Sequence, residues 1–174
     1  MNLEDLLEEG QNNPAGTSII LSFARHQDFD SFAVPTVAPA TAAERNVIAD
    51  PHTLKTGTEM YKLEMVMNEN ELTAEDVAEF IGTSKKLELN GIVSNISDSA
   101  LGVLEEANNH NMVAFVHLAD GKVIQLGDEH VPARISHNFQ SGKNSDGKRG
   151  FPIKVMSYGR ILRYDSAISY EPVA

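Results

Sequence analysis

Met112-Val-Ala-Phe-Val-His-Leu-Ala119, then Asp120-Gly121, then Lys122-Val-Ile-Gln-Leu-Gly127 read in succession as strand, turn and strand. Asp-Gly readily supplies the pair of positive φ angles that a type I′ turn needs, so an antiparallel hairpin closed at Asp120-Gly121 is expected. A further strand candidate, Val131 to Phe139, leads into the polar run Ser141-Gly-Lys-Asn-Ser-Asp-Gly-Lys-Arg-Gly150. The chain then returns as Phe151-Pro-Ile-Lys-Val-Met-Ser-Tyr158. Short apolar strands alternating with Gly-bearing turns specify an antiparallel β-body, with residues 141–150 as a hairpin tip.

Outward from this centre, Thr17-Ser-Ile-Ile-Leu-Ser-Phe23 reads as a buried strand, and Leu87-Glu-Leu-Asn-Gly-Ile-Val93 as another. Val47-Ile-Ala-Asp-Pro-His-Thr53 reads as a short strand running into a turn. Thr58 to Met67 alternates: Tyr61, Leu63, Met65 and Met67 share one side, while Met60, Lys62 and Glu64 share the other. That period of two predicts a half-buried strand. Glu69 to Phe80 fits either a short helix or a turn followed by a strand. One helix is predicted over about 98–109, capped by Ser97 or Asp98 and burying Leu101, Leu104 and Ala107. Arg160 to Tyr170 reads as one or two last strands. Residues 33–43, rich in Pro, Ala and Thr, form an extended loop or arm, of a length that is functional or disordered in most proteins. Leu3, Leu6 and Leu7 lie on one face of a short N-terminal helix or arm (1–16) that needs something to pack on. The fold class is mainly β (α+β): an antiparallel β-sandwich or barrel with one flanking helix and long loops.

A chain of 174 residues fits a single domain with room for a real core. Its apolar (41%) and charged (22%) fractions are those of a soluble globular protein, and no run approaches the roughly 20 apolar residues of a membrane helix. The acidic start, Met1-Asn-Leu-Glu-Asp-Leu-Leu-Glu-Glu9, lacks the basic region of a signal peptide. The absence of cysteine rules out disulfides, thiolate metal sites and a Cys nucleophile. It suits a cytosolic origin, and equally a protein that later meets an oxidising exterior. The net charge of −11 is uneven: residues 141–174 hold six basic and three acidic side chains, a balance of +3, so the other 140 residues carry −14. Such an acidic body argues against ordinary binding of nucleic acid, whose phosphates are held by Lys and Arg. It suits a surface that repels nucleic acid, one that docks a basic patch on another copy, or plain solubility.

Motifs for chemistry are weak. Gly142-Lys-Asn-Ser-Asp-Gly-Lys-Arg149 has the Gly and Lys spacing of a P-loop. Arg149 stands where Ser or Thr should bind Mg²⁺, however, and a strand follows where a helix should open. His26, Asp28 and Asp30 alternate as three metal ligands on one strand side would, although a solvated strand edge accounts for them as well. His110, His117, His130 and His137 have no metal-ligand spacing, and no nucleophile elbow is present. Glu8-Glu9 and Glu105-Glu106 read as surface helix residues. No cofactor and no catalytic residue is expected, so the chain reads as a non-enzyme.

The order of elements resembles the tail tube (major tail) proteins of tailed bacteriophages. The resemblance is carried by Ala74-Glu-Asp-Val-Ala-Glu-Phe-Ile-Gly-Thr-Ser-Lys85 before Leu87–Val93, the short helix, and Asp120-Gly-Lys-Val-Ile-Gln-Leu-Gly127. Val131-Pro-Ala-Arg134, Ser141-Gly-Lys143 and Arg149-Gly-Phe151 follow. It implies a virion structural protein, assembled in the host cytoplasm, whose partners are copies of itself and other tail or neck proteins. Hexameric rings would stack around a channel through which DNA passes without specific binding, and no membrane is involved. Glu59, Glu64, Glu69, Glu71, Glu75, Asp76, Glu79 and Glu88 are then candidates for an acidic lumen. Lys143, Lys148 and Arg149 are candidates for ring stacking. A head-to-tail connector, tail terminator or capsid decoration protein is the alternative among virion proteins. A β-sandwich module binding carbohydrate or calcium is the rival from another class, although the chain has no Trp to stack on a sugar.

Overall fold

The computed structural model describes residues 17–36, 38–66, 69–77, 84–94, 97–141 and 150–173. Within them the strands are β1 (Thr17–Arg25), β2 (Phe29–Ser31), β3 (Val47–Ile48), β4 (Thr53–Leu54), β5 (Tyr61–Glu64) and β6 (Glu71–Asp76). They continue as β7 (Lys85–Val93), β8 (Met112–Leu118), β9 (Val123–Leu126), β10 (Arg134–His137), β11 (Phe151–Gly159) and β12 (Leu162–Tyr164). The helix α1 spans Asp98–Asn109, between β7 and β8. One sheet has six strands in the order β3-β12-β9-β8-β1-β5, and a second has four in the order β10-β11-β7-β6. β2 and β4 form a small third sheet. The predicted class, a mainly β sandwich with one flanking helix, is what the chain adopts; all pairs are antiparallel except β12 with β3.

The main core lies between the two large sheets. Leu21, Phe23, Leu63, Ala114, Val116 and Leu126 face Leu87, Leu89, Ile135, Ile153 and Val155 across it, and Leu104 and Ala107 of α1 close one side. A second core covers the opposite face of the six-stranded sheet. There Ala24, Val113, Phe115, Leu162 and Tyr164 pack under Phe29, Ile48 and Met60, with Phe32 and Leu54 alongside. β8 is therefore sandwiched on both faces, and Met112 to Val116 are all buried. A strand covered on both sides reads as a continuous apolar run. Double coverage also explains Met60, 6% exposed although it lies opposite the Leu63–Met65 side of its strand. Full burial of a residue such as Phe115 contributes roughly 1.5–3 kcal/mol.

Three local readings change. The hairpin between β8 and β9 closes through three residues, Ala119-Asp120-Gly121. Gly121 N–H donates to Leu118 O (3.1 Å) and Leu118 N–H to Lys122 O (2.8 Å). With Gly121 at φ +86°, this is a turn ended by a left-handed glycine, because cross-strand register (His117 opposite Val123) leaves three residues to span. The half-buried strand over Thr58–Met67 shrinks to β5. After Glu64 the chain crosses between sheets: Met65 N–H donates to Ile19 O in β1, and Val66 N–H to Ile92 O in β7. In α1 the buried residues are Ala100, Leu104 and Ala107, while Leu101 is 41% exposed. The helix is rotated so that Ala100, with Leu104 and Ala107, meets the sheet in place of Leu101. Ser97 is its cap, its Oγ accepting from Ala100 N–H at 3.1 Å. The ambiguous segment 69–80 contains β6, and the 131–139 strand narrows to β10.

Candidate assembly surfaces and polar sites

Both large sheets end in edge strands, β3 and β5 in one, β10 and β6 in the other. β6 is the longest of the four. Among the described residues it pairs with β7 alone, from Glu71 opposite Asn90 to Asp76 opposite Lys85, and its side chains are mostly exposed. Exposed edges template pairing with another chain, and charge along the edge restrains that pairing.

Beside β6 opens a cleft of about 860 Å³. Leu72, Leu87, Leu118 and Ile124 give it an apolar floor, and Glu69, Glu71 and Asp120 line it as well. Thr17 and Asn70 also line it, and Thr17 Oγ1 with both amide atoms of Asn70 are buried without a hydrogen-bond partner. Buried polar atoms are nearly always bonded in folded proteins, and each orphan costs about 1–3 kcal/mol.

The acidic candidates do not form one cluster. Glu59 and Glu64 are exposed on the side of the six-stranded sheet, and Glu64 lies 3.9 Å from Lys62. Glu69 is exposed in the connection between β5 and β6. Glu71 and Glu75 alternate onto the solvent face of the four-stranded sheet, and Asp76 is bound to Lys85 at 2.7 Å. Glu88, on that face of β7, is bonded to Lys154 and Lys86 (2.8 Å each) and to Asn90 (3.0 Å). These partners, Lys154 first, hold its carboxyl at about 2. Its charge is neutralised locally, so among the eight it is the poorest source of a repulsive field. Glu79, the basic candidates Lys143, Lys148 and Arg149, the N-terminal segment 1–16 and Met67 lie outside the described residues.

The His26, Asp28 and Asp30 set is drawn apart. Arg25 Nε donates to Asp28 at 2.7 Å while His26 Nε2 lies 3.0 Å from Glu129 O, and a 3-10 turn breaks the strand spacing. Among the described residues no three His, Asp or Glu converge as metal ligands. No family model, curated protein or solved structure matches the chain.

Two buried polar groups escaped the sequence reading. His52 (8% exposed) sits among Phe29, Phe32, Phe115 and Tyr164, its ring stacked on Tyr164 at 5.0 Å. Ala33 N–H donates to His52 Nδ1 (2.9 Å), so Nε2 carries the proton and donates to Gln125 Oε1 (2.8 Å). Gln125 Nε2 in turn donates to Gly127 O at 2.8 Å, and Tyr164 OH accepts from His52 N–H at 3.1 Å. Burial pushes the imidazole below its ordinary value, keeping it neutral. The second group is Ser22, fully buried, whose Oγ lies 3.1 Å from His117 Nε2 and 2.6 Å from Tyr170 OH. Burial and the charge of Lys62 lower the His117 pKa. A serine beside a neutral histidine has the parts of an activated nucleophile. Ser22, however, shares its hydroxyl with the C-terminal Tyr170 and offers no path to a substrate carbonyl. The pair anchors the C-terminal segment, whose Val173 also exchanges hydrogen bonds with Gly57 and Thr58. Neither group follows from periodicity: His52 stands in the connection between β3 and β4, and Tyr170 lies 148 residues from Ser22.

Proposed function

We propose that the chain is a structural subunit that joins copies of itself edge to edge into rings, and that these stack into a tube, as in a phage tail. The observation that carries the reading is the open β6 edge beside the Thr17–Asn70 cleft. The outer edge of β6, without a strand partner among the described residues, lies beside three buried polar atoms that lack hydrogen bonds there, and a neighbouring strand would pair with that edge. The fold class and the acidic body support it. Under this reading Glu71 and Glu75, on the exposed edge, contribute more to a DNA-repelling wall than Glu88, and with a Debye length of about 8 Å they act only close to it. The basic segment with Lys143, Lys148 and Arg149 joins one ring to the next. Head-to-tail stacking never closes on itself, which is how a filament forms.

Negative-stain microscopy of the concentrated protein tests the reading: tubes support it, single closed rings reassign the chain to a connector, and monomers at all concentrations overturn it. Asn70→Leu sharpens the test. It removes the orphan amide, so the monomer is expected to melt higher while assembly weakens. Lys148→Glu with Arg149→Glu should leave the fold intact and shorten the tubes; unchanged tubes would remove the role given to that segment.

A further inference from the structure

A second cavity, of about 520 Å³, lies on the opposite side of the molecule's six-stranded sheet from the main core, and self-assembly does not use it. Its size falls within the roughly 300–1,000 Å³ of small-molecule sites. One wall is the loop after β2: Phe32, Ala33, Val34, Pro35, Thr36 and Pro39. Ala33 N–H bonds to His52 (2.9 Å), and Ala40 N–H bonds locally to Glu44 (2.9 Å). Prolines at 35 and 39 each fix their own φ near −65°. Ile48, Leu162 and the buried Gln125 make the floor, and Gln125 spends both ends of its amide on His52 and Gly127. Val34, 62% exposed, leaves apolar surface uncovered at the mouth.

The charge at this mouth is unusual for so acidic a chain. Arg45 and Arg160 both line the cavity, and neither guanidinium has an ion-pair or hydrogen-bond partner among the described residues. Among the other described basic residues, Arg25, Arg163, Lys62, Lys85, Lys86, Lys122 and Lys154 have carboxylate partners, while Lys55 bonds to a backbone carbonyl and Arg134 has no carboxylate partner. Of the two lining carboxylates, Asp128 is turned into its own loop, where Oδ1 accepts from His130 N–H (2.9 Å) and Val131 N–H (2.8 Å). Glu129 has no side-chain partner among the described residues, so the lining holds two unpaired guanidiniums and one carboxylate without a hydrogen bond. A planar guanidinium matches a carboxylate or phosphate in two-point hydrogen bonding, and an apolar wall close by strengthens that bond.

We propose that this cavity binds a small organic anion: a carboxylate or phosphate monoester on a compact apolar body. The anionic group bonds to Arg45 and Arg160, and the body lies against Phe32, Val34, Pro35 and Leu162. Phenyl phosphate, benzoate, inorganic phosphate and neutral benzyl alcohol are titrated into the full chain, with amide shifts and calorimetry as readouts. Saturable shifts at Ala33, Thr36, Arg45 and His130 are expected with phenyl phosphate or benzoate, and whichever binds tighter names the anion. Inorganic phosphate and benzyl alcohol should each bind more weakly, since each carries half of the recognition. Arg45→Gln and Arg160→Gln, both at exposed positions, should fold normally and each weaken binding at least about tenfold. Benzyl alcohol binding as tightly as phenyl phosphate, indifference to both substitutions, or no saturable shift with either organic anion would overturn the proposal.

Discussion

Replacing His52 with leucine removes an imidazole whose two nitrogens are both committed, and leaves a side chain of similar bulk in its place. Two groups lose their partners: the part-buried Ala33 N–H and the buried Gln125 Oε1, now 2.9 and 2.8 Å from the ring. Each orphan costs about 1–3 kcal/mol. Loss of the stacked contact with Tyr164 adds about 0.5–1.5 kcal/mol. The total is about 4 kcal/mol, a large part of the 5–15 kcal/mol that holds an ordinary domain. With a urea slope near 2 kcal/mol per molar, the unfolding midpoint near pH 8 should fall by about 2 M. The pH dependence gives a second reading. His52 has a folded pKa below its ordinary 6.5, so on acidification the unfolded chain takes up the proton first. Its stabilising contribution is complete above about pH 6.5 and is lost as pH falls from there through the depressed folded value, by up to about 1.4 kcal/mol per pH unit. His117 behaves likewise. The leucine variant should therefore lose stability less steeply below pH 6.5 than the parent, keeping only the His117 share. A midpoint within about 0.5 M of the parent, or equal slopes in that pH window, would refute the placement of His52 as a buried, doubly bonded neutral ring.

Gly127→Ala and Gly102→Ala should move stability in opposite directions in thermal melts. At Gly127 φ is +87° and an added Cβ would lie 2.6 Å from Ala133 N, so a loss of roughly 2–4 kcal/mol is expected. At Gly102, on the exposed side of α1 with nothing within 4 Å, alanine should gain about 1 kcal/mol. Glu88 should titrate near 2 by carboxyl-carbon NMR, where its ordinary value is 4.5. Since its folded pKa is depressed, Glu88 contributes above about 4.5 and loses that contribution as pH falls toward 2, a step that Glu88→Gln should remove from the acid-unfolding curve.

Local signals carried much of this architecture. Ser97 ahead of an amphipathic run located α1 to its last residue, because capping and helical period are properties of neighbouring residues. Asp120-Gly121 located the β8–β9 hairpin, although the turn type depended on register, which lies outside the dipeptide. The site was less legible. The acidic candidates were chosen by sign alone, and Glu88 was brought into contact with Lys154 only by the pairing of β7 with β11. Arg45 and Arg160 are 115 positions apart in the chain and meet at one cavity because β3 adds to β12 in parallel.

By itself the order of residues determined what short-range physics decides: alternating apolar strands, a capped helix, glycine where the backbone turns left-handed, and an acidic body. Tertiary structure decided which faces are covered. The six-stranded sheet is buried on both sides, so Met60, Val113 and Phe115 are core residues, His52 is a neutral interior ring, and Leu101 gives way to Ala100 at the helix interface. Period-two patterning reports that a strand has an apolar side; it carries no information about the distant segment that arrives to cover the other.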